Sequence, residues 1–409
     1  MIIHVLGGGY GQVPLIKRIK EKGYSVLVSD KNPGAPGFLH ADYISRASSF
    51  DPEAVAADAH LNSSDYFVTA GTDQPVLTAA LAADKLGKPY FLKPRQALMA
   101  TNKKVMKRAM TEWEIPHRAY SILKKDFDDE QLSDLTFPLV IKPLDSQGQR
   151  GIIRVHNREE IRRNFDYLLS FSREQEILAE EYYPNSKEIT VSAWVDRGKS
   201  YILSLTDRVT VDMDNHLGVC IAHRYPSLCH DDWNSIEPLV DRIKDMLSLE
   251  AGPLYIQILH GERGYSVNEI ACRLGGAYED QFLPWLCGIP LLDYMIDLTS
   301  EKEYNRSLLE NMDRTRVSKF LSLEMFFYKP GVLVRQQGME HVKEMEGILG
   351  GDFLLNEGCR IVPRENSTQR AGFFIASSQS AEALESLVER AYASIKAYDS
   401  EGNSILCRF

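Results

Sequence analysis

Four stretches of the 409-residue sequence carry side chains suited to phosphate and carboxylate chemistry, and they follow one another in a telling order. Pro138-Leu139-Val140-Ile141-Lys142-Pro143 is an apolar run that delivers one lysine at its end. Such a lysine buries its stem and directs its ammonium at an anion. Ser146-Gln147-Gly148-Gln149-Arg150-Gly151 comes next, a polar glycine loop whose backbone N–H groups can fold over phosphates. The lysine precedes this loop instead of ending it, so the pair is not a Walker A motif. Ile177-Leu178-Ala179-Glu180-Glu181-Tyr182-Tyr183, with Glu188 beyond it, offers acceptors for an adenine amino group and ribose hydroxyls. Finally, Asn268-Glu269-Ile270-Ala271-Cys272-Arg273-Leu274-Gly275-Gly276 sets Glu269 and Arg273 four apart. A carboxylate there can hold Mg²⁺ against phosphate oxygens, and an arginine can grip a carboxylate or a transferring phosphoryl group.

Each feature alone has an ordinary explanation. A lysine at a strand end is commonly a surface charge, and a glycine loop is commonly a hairpin. A Glu-Glu pair is usually solvated, and a Glu–Arg pair at this spacing is worth under about 1 kcal/mol on a surface. Four such features in a consistent order, each at a strand edge, are not explained that way.

The elements that must position them read as α/β. Ile2–Leu6 is a short apolar strand ending in Gly7-Gly8-Gly9-Tyr10-Gly11, and residues 13–22 form a helix closed by Gly23. Residues 24–29 and 65–70 are further strands. Gly71-Thr72-Asp73-Gln74-Pro75 then leads into a helix that Asp73 can cap and Gly87 ends. This is a doubly wound unit. The dinucleotide fingerprint is broken, because Gln12 stands where its third glycine belongs. The same strand–glycine–helix geometry can still bring a helix N-terminus to an anionic substrate. Thr101 is the expected cap of a basic amphipathic helix at 101–107, and residues 235–249 form a periodic helix with Gly252 beyond its end. The chain closes with a helix at 380–397.

Composition sets limits on the chemistry. A formal net charge of −10 argues against a nucleic-acid binder. The longest apolar runs fall short of the roughly 20 residues that span a bilayer, so no membrane partner is expected. Residues 1–6 run straight into the glycine cluster without a basic leader, which predicts cytoplasmic residence. Six scattered cysteines with no C-x-x-C pair read as free thiols.

Taken as a set, Lys103, Val140-Ile141-Lys142-Pro143, the 146–151 loop, Ala179-Glu180-Glu181-Tyr182-Tyr183 with Glu188, and Asn268-Glu269-Ile270-Ala271-Cys272-Arg273 resemble the ATP-grasp ligases over essentially the whole chain. The resemblance implies a multidomain α/β and α+β fold: a pre-ATP-grasp domain at 1–97, a nucleotide clamp at 98–305 with a mobile lid lobe at about 116–178, and a C-terminal α+β subdomain at 306–409. It implies ATP and Mg²⁺ (or Mn²⁺) as cofactors and a homodimer as the assembly. Lys103 and Lys142 would touch ATP phosphates, and Ser146, Gln147, Gly148, Gln149 and Arg150 would form the phosphate loop. Glu180, with the backbone of Glu181 and Tyr183, would hold adenine, and Glu188 the ribose. Glu269 would ligate the metal, with Gln257 at the position where the family usually carries a further acid. The asparagine expected two residues after Glu269 is Ala271 here, which leaves metal stoichiometry open.

The reaction implied is a ligation of a small carboxylate to an amine through an acyl phosphate, with Arg273, Lys142 and Arg208 as the catalytic cations. Substrate-lining candidates are Thr72, Asp73, His223, Gly275 and Gly276 together with Arg273. His216, Arg224, Tyr278, Glu279 and Asp280 form a wider set. The Arg-Leu-Gly-Gly ending at 273–276 resembles amino-acid ligases. An alternative is a carboxyphosphate-forming enzyme akin to carboxyaminoimidazole ribonucleotide synthetase, which shares the Asn-Glu-Ile-Ala-x-Arg pattern. A nucleotide-binding homologue with reduced catalysis is a third reading, motivated by Gln257 and Ala271.

Overall fold

The computed structural model describes residues 1–185, 187–213, 216–313, 317–362 and 369–408. The N-terminal unit is built from β1 (Ile2–Leu6), α1 (Val13–Glu21), β2 (Ser25–Ser29), β3 (Tyr43–Ser45), α2 (Pro52–Leu61), β4 (Tyr66–Val68) and α3 (Gln74–Leu86). Its four strands pair in the order β3-β2-β1-β4, all parallel. Leu15, Ile16 and Ile19 form the buried face of α1, as the 3.6-residue spacing predicts. The glycine turn after β1, whose dinucleotide fingerprint is broken at Gln12, is closed off by its own chain. Gln12 accepts a hydrogen bond from the Gly9 N–H at 3.0 Å and donates to the Ala70 carbonyl.

Two helices, α4 (Pro94–Thr101) and α5 (Lys103–Glu112), follow where a single one was expected. Asn102, not Thr101, caps α5, accepting from the N–H groups of Lys104 and Val105. Thr101 ends α4 instead, with its hydroxyl turned back onto the Ala97 carbonyl. Asp73 precedes α3 but makes no capping bond; its carboxylate is drawn elsewhere, as described below.

The next lobe comprises β5 (Tyr120–Leu123), β6 (Leu139–Pro143), β7 (Ile153–Val155), α6 (Arg158–Leu169) and β8 (Ile177–Glu181). It has its own core around Ile141, Ile161, Phe165 and Leu168. The larger lobe carries β9 (Lys187–Asp196), β10 (Lys199–Met213), β11 (His216–Tyr225), α7 (Trp233–Leu247), β12 (Ala251–Gly261) and β13 (Gly264–Ala271). The strand order runs β13-β12-β9-β10-β11-β7-β6-β8-β5, and the two lobes join through the single pairing of His216 with Ile153. Ile236, Val240 and Ile243 of α7 pack on one face of the large sheet. The helix α8 (Glu279–Cys287) and the helix α9 (Leu291–Thr299) bring Phe282 and Tyr294 to the other. Ser248, in a left-handed conformation, turns the chain out of α7; Gly252 lies inside β12, so it is not the helix stop.

Strand β14 (Phe320–Tyr328) extends the sheet from β11, and 372–378 and 348–353 add to it in turn. The closing helix spans Ala381–Ser394, shorter than expected, with Leu384, Leu387, Val388 and Ala391 inward. No single helix among the described residues is long and apolar enough to cross a membrane.

Candidate active site

A cleft of about 890 Å³ opens between the N-terminal unit and the two lobes. Of the residues named from the sequence as site candidates, Glu181 and, in the wider set, Arg224 and Glu279 do not line it; the His216 side chain lies outside the described residues. Along β8 successive residues point to opposite faces. Glu180 faces inward, whereas Glu181 accepts from the Thr136 N–H at 2.9 Å and spends its own N–H on Ala119 at 3.0 Å. The Glu181 N–H is therefore already engaged by the neighbouring strand.

Lys142, at the end of β6, and Lys103, at the first turn of α5, are both buried. Lys103 donates to the Ser146 carbonyl at 2.7 Å and lies 3.5 Å from Glu269. Lys142 pairs with Glu180 and lies 3.4 Å from the Asn268 amide oxygen. Glu180 is completely enclosed, and two further cations meet it: Lys107 at 3.0 Å and Arg118 at 2.8 Å. Burial alone would raise the Glu180 pKa, but Arg118, Lys107 and Lys142 hold it below the ordinary carboxylate range. Burial lowers Lys107 to about 7 and lowers Lys142 as well. Three cations around one carboxylate leave an excess of positive charge at the floor of the cleft, an electrostatic seat for a polyanion.

Lys107, Arg118 and Asn268 were not singled out from the sequence. Lys107 lies one helical turn beyond Lys103, which is a usable signal. Arg118 follows Ile115-Pro116-His117 with no local signature.

The glycine loop reaches across the cleft. Gln147 accepts from the N–H groups of Asp73 and Gln74, at 2.6 and 3.2 Å, at the N-terminus of α3. Gln149 donates to the Gly218 carbonyl, and Arg150 donates to the Gln147 carbonyl at 3.1 Å. Gly148 and Gly151 sit at φ of 67° and 72°, so the turn needs their conformational freedom. Arg208 also donates to Gly218 and is held by Glu188 at 2.6 Å, a pair buried between β9 and β10. Burial pushes the Glu188 carboxyl up against the opposing pull of Arg208.

At the end of β13, Glu269 stands opposite Gln257 of β12. Burial would raise Glu269, but Lys103, Lys142 and Arg273 lower it, so it is a carboxylate at neutral pH. Among the described residues no group of three or more His, Cys, Asp or Glu side chains is arranged to hold a metal. The local donors are one carboxylate and the amide oxygens of Gln257 and Asn268; the Asn268 Nδ2 donates to the Gln257 Oε1 at 3.5 Å. That set fits a magnesium ion that keeps waters and takes its remaining ligands from phosphates.

Arg273 donates to Asp73 at 2.7 Å and lies over the Tyr255 ring at 4.7 Å. This pair is where the expected α3 cap goes. Both glycines after Arg273 are closely approached, and Gly276 is required because its neighbour is backbone. A Cβ on Gly275 would fall about 2.0 Å from the Glu279 carboxyl carbon, and one on Gly276 about 2.5 Å from the Gly71 carbonyl oxygen. Thr72 lines the cleft with a buried hydroxyl that has no partner. His223, fully buried, bonds Thr206 at 3.1 Å and is held neutral by burial. Arg224 alternates to the exposed side, and the His216 side chain lies outside what the structure describes. The six cysteines are all free.

Residues 324–398 match the family model described as L-amino acid ligase C-terminal domain 2. Two curated relatives match as well. One is an uncharacterized protein, y4rH, of Sinorhizobium fredii, 23% identical over 64% of this chain and 53% of its own length. The other is the carbamoyl phosphate synthase large chain of Pseudarthrobacter chlorophenolicus, 25% identical over 47% of this chain and 18% of its own. The chain thus spans about half the length of the first relative and less than a fifth of the second. Among solved structures, the L-amino acid ligase of Bacillus licheniformis superposes with a TM-score of 0.80 at 17% identity, covering 98% of both chains. Phosphoribosylglycinamide synthetase of Anaerococcus prevotii gives 0.76 at 19% identity, over 98% of this chain and 99% of the other. N5-carboxyaminoimidazole ribonucleotide synthetase of Thermotoga maritima gives 0.72 at 18%, over 98% and 99%. The fold of this chain is the ATP-grasp fold across its full length.

Proposed function

We propose that this ATP-grasp protein is an ADP-forming carboxylate–amine ligase that joins an amino acid or similar small carboxylate to an amine. The observation that carries the reading is the convergence, in one cleft, of Lys103, Lys142, the glycine loop, Glu269 and Arg273. The match of residues 324–398 to an L-amino acid ligase C-terminal domain supports the amino-acid class.

A carboxylate is a poor electrophile, and phosphorylation gives it a leaving group. ATP would lie with its phosphates over the excess positive charge around Glu180, where Lys103 and Lys142 neutralise the charge of the transferring phosphoryl. Residues 146–151 would close above it and exclude water from the acyl phosphate. Magnesium would be held by Glu269, with the Gln257 amide as a neutral donor, and would supply charge neutralisation to the phosphates. Arg273 would orient the acceptor carboxylate by paired hydrogen bonds, and Arg208 would face the phosphoryl group. The γ-phosphoryl passes to the carboxylate oxygen and ADP leaves. The amine then attacks the acyl carbon, phosphate departs, and the amine surrenders its proton.

The test is ADP and phosphate release from MgATP with small carboxylates and amines offered singly and in pairs. Release that requires one of each supports the ligase. Release that answers to bicarbonate and not to amino acids would replace it with the carboxyphosphate-forming reading. ATP binding without turnover in any combination would leave a nucleotide-binding homologue.

A further inference from the structure

The part of the cleft lined by α8 is chemically unfinished. Asp280, in the first turn of α8, lines the cleft, and its Oδ2 is sealed from solvent without a hydrogen-bond partner. Glu279 beside it is fully buried; one oxygen accepts from the Ala277 N–H at 2.6 Å and the other has no partner. Neither carboxylate has an ion pair among the described residues. His223, which packs 6.3 Å from Phe282 of the same helix, is fully buried and lines the cleft with an unpartnered Nε2. Arg370 also lines the cleft. It donates to the Gly276 carbonyl at 3.2 Å, acts electrostatically on His223, Tyr278 and Glu279, and leaves its Nε without a partner.

Acidic residues in the first turn of a helix are common because the helix N-terminus favours negative charge. That accounts for the oxygen of Glu279 that bonds the backbone. It does not account for Asp280 Oδ2, which gains nothing from the fold and is denied water. Leaving a buried polar atom unpaired costs the full desolvation of that atom, so such atoms mark a group that arrives later. Unpaired carboxylate oxygens call for a cation with hydrogens to donate. The unpaired Arg370 Nε calls for an acceptor.

We propose that Asp280 is a specificity-determining residue that holds a cationic amino group of the substrate, with His223 lining the same cleft and the Arg370 Nε left for an acceptor on that substrate. This deepens the ligase reading and rests on it: the cleft then selects a substrate bearing an ammonium. Burial pushes the Asp280 carboxyl up to about 7, the response of a carboxylate with no cation beside it, and an arriving ammonium would reverse it.

The test is calorimetric titration of the full chain with three probe sets at matched concentration. These are L-amino acids, the corresponding des-amino carboxylates, and the corresponding amino-acid amides. The wild-type chain is expected to bind at least one amino acid about 10-fold or more tighter than its des-amino carboxylate. Asp280→Asn should abolish that preference while ATP binding persists, which reports that the fold is intact. If the amides also bind in an Asp280-dependent way, the ammonium belongs to the attacking amine; if only the amino acids do, it belongs to the activated carboxylate. Equal binding of amino acids and des-amino acids, binding of neither, or an undiminished preference in Asp280→Asn would overturn the proposal. Failure of ATP to bind would sink the ligase reading instead, and the comparison on the wild-type chain would still decide this one.

Discussion

Arg273 and Asp73 lie 200 positions apart in sequence and meet at 2.7 Å, both largely buried. The pair ties the end of β13 to the N-terminus of α3, so the guanidinium that would orient a substrate is aimed from the N-terminal α/β unit. Removing one member of a buried ion pair strands the other charge. Asp73→Asn should therefore destabilise the chain by about 3 kcal/mol, and adding Arg273→Met should recover more than half of that loss. Chemical-denaturation midpoints of the three proteins measure it. A single variant as stable as the wild type would mean that the pair is incidental.

Lys142 sits among cations that outnumber the carboxylate they surround. Lys142→Met keeps most of the apolar stem and relieves part of that repulsion, and Glu180 retains Lys107 and Arg118. The fold should persist with a melting temperature close to the wild type. ATP-dependent turnover should fall by at least about 100-fold, because a phosphate-directed cation supplies several kcal/mol to the transition state. Intact turnover would move the ATP site elsewhere.

Gln147 docks the glycine loop on α3 through two backbone N–H groups. Gln147→Ala removes both bonds and leaves the global core untouched. Amide hydrogen exchange at Asp73 and Gln74 should quicken by about 5- to 10-fold, the effect of losing roughly 1 kcal/mol of local protection. Unchanged exchange at those amides would show that the loop is not held by this side chain.

Asp280 should leave a signature in the pH dependence of stability. Its folded value of about 7 lies above the ordinary 3.8, so between those values the folded chain holds the proton that the unfolded chain releases. The stability linked to this proton is fully present below 3.8 and is lost as pH rises through about 7. Asp280→Asn has no proton to lose. Its melting temperature should match the wild type near pH 4 and exceed it increasingly toward pH 8, by up to about 4 kcal/mol in free energy. The groups bearing on this carboxyl are Glu279 on its own helix, with Arg273 and Arg370 acting on Glu279 from β13 and the C-terminal unit. A gap that does not change with pH would mean that Asp280 is solvated.

Sequence alone determined the pieces whose structure is local. The strand ending at Lys142, the glycine loop after it, and the strand carrying Glu269 toward Arg273 were all legible, since alternation and turn chemistry act over a few residues. Their order implied the ATP-grasp fold. Tertiary structure decided what depends on distant partners. A period of two says that Glu180 and Glu181 face opposite ways, but only packing decides which one meets Lys107, Arg118 and Lys142. Asp73 looked like a helix cap because that is its best local bond; Arg273, brought to it by folding, offers a buried charge and wins. The same holds at α8: the sequence put Glu279 and Asp280 in one set of lining candidates, and only the folded chain separates them, with Asp280 on the cleft and its Oδ2 sealed without a partner. Local bonds can be read along the chain, whereas desolvation and ion pairing are set by which surfaces the fold closes together.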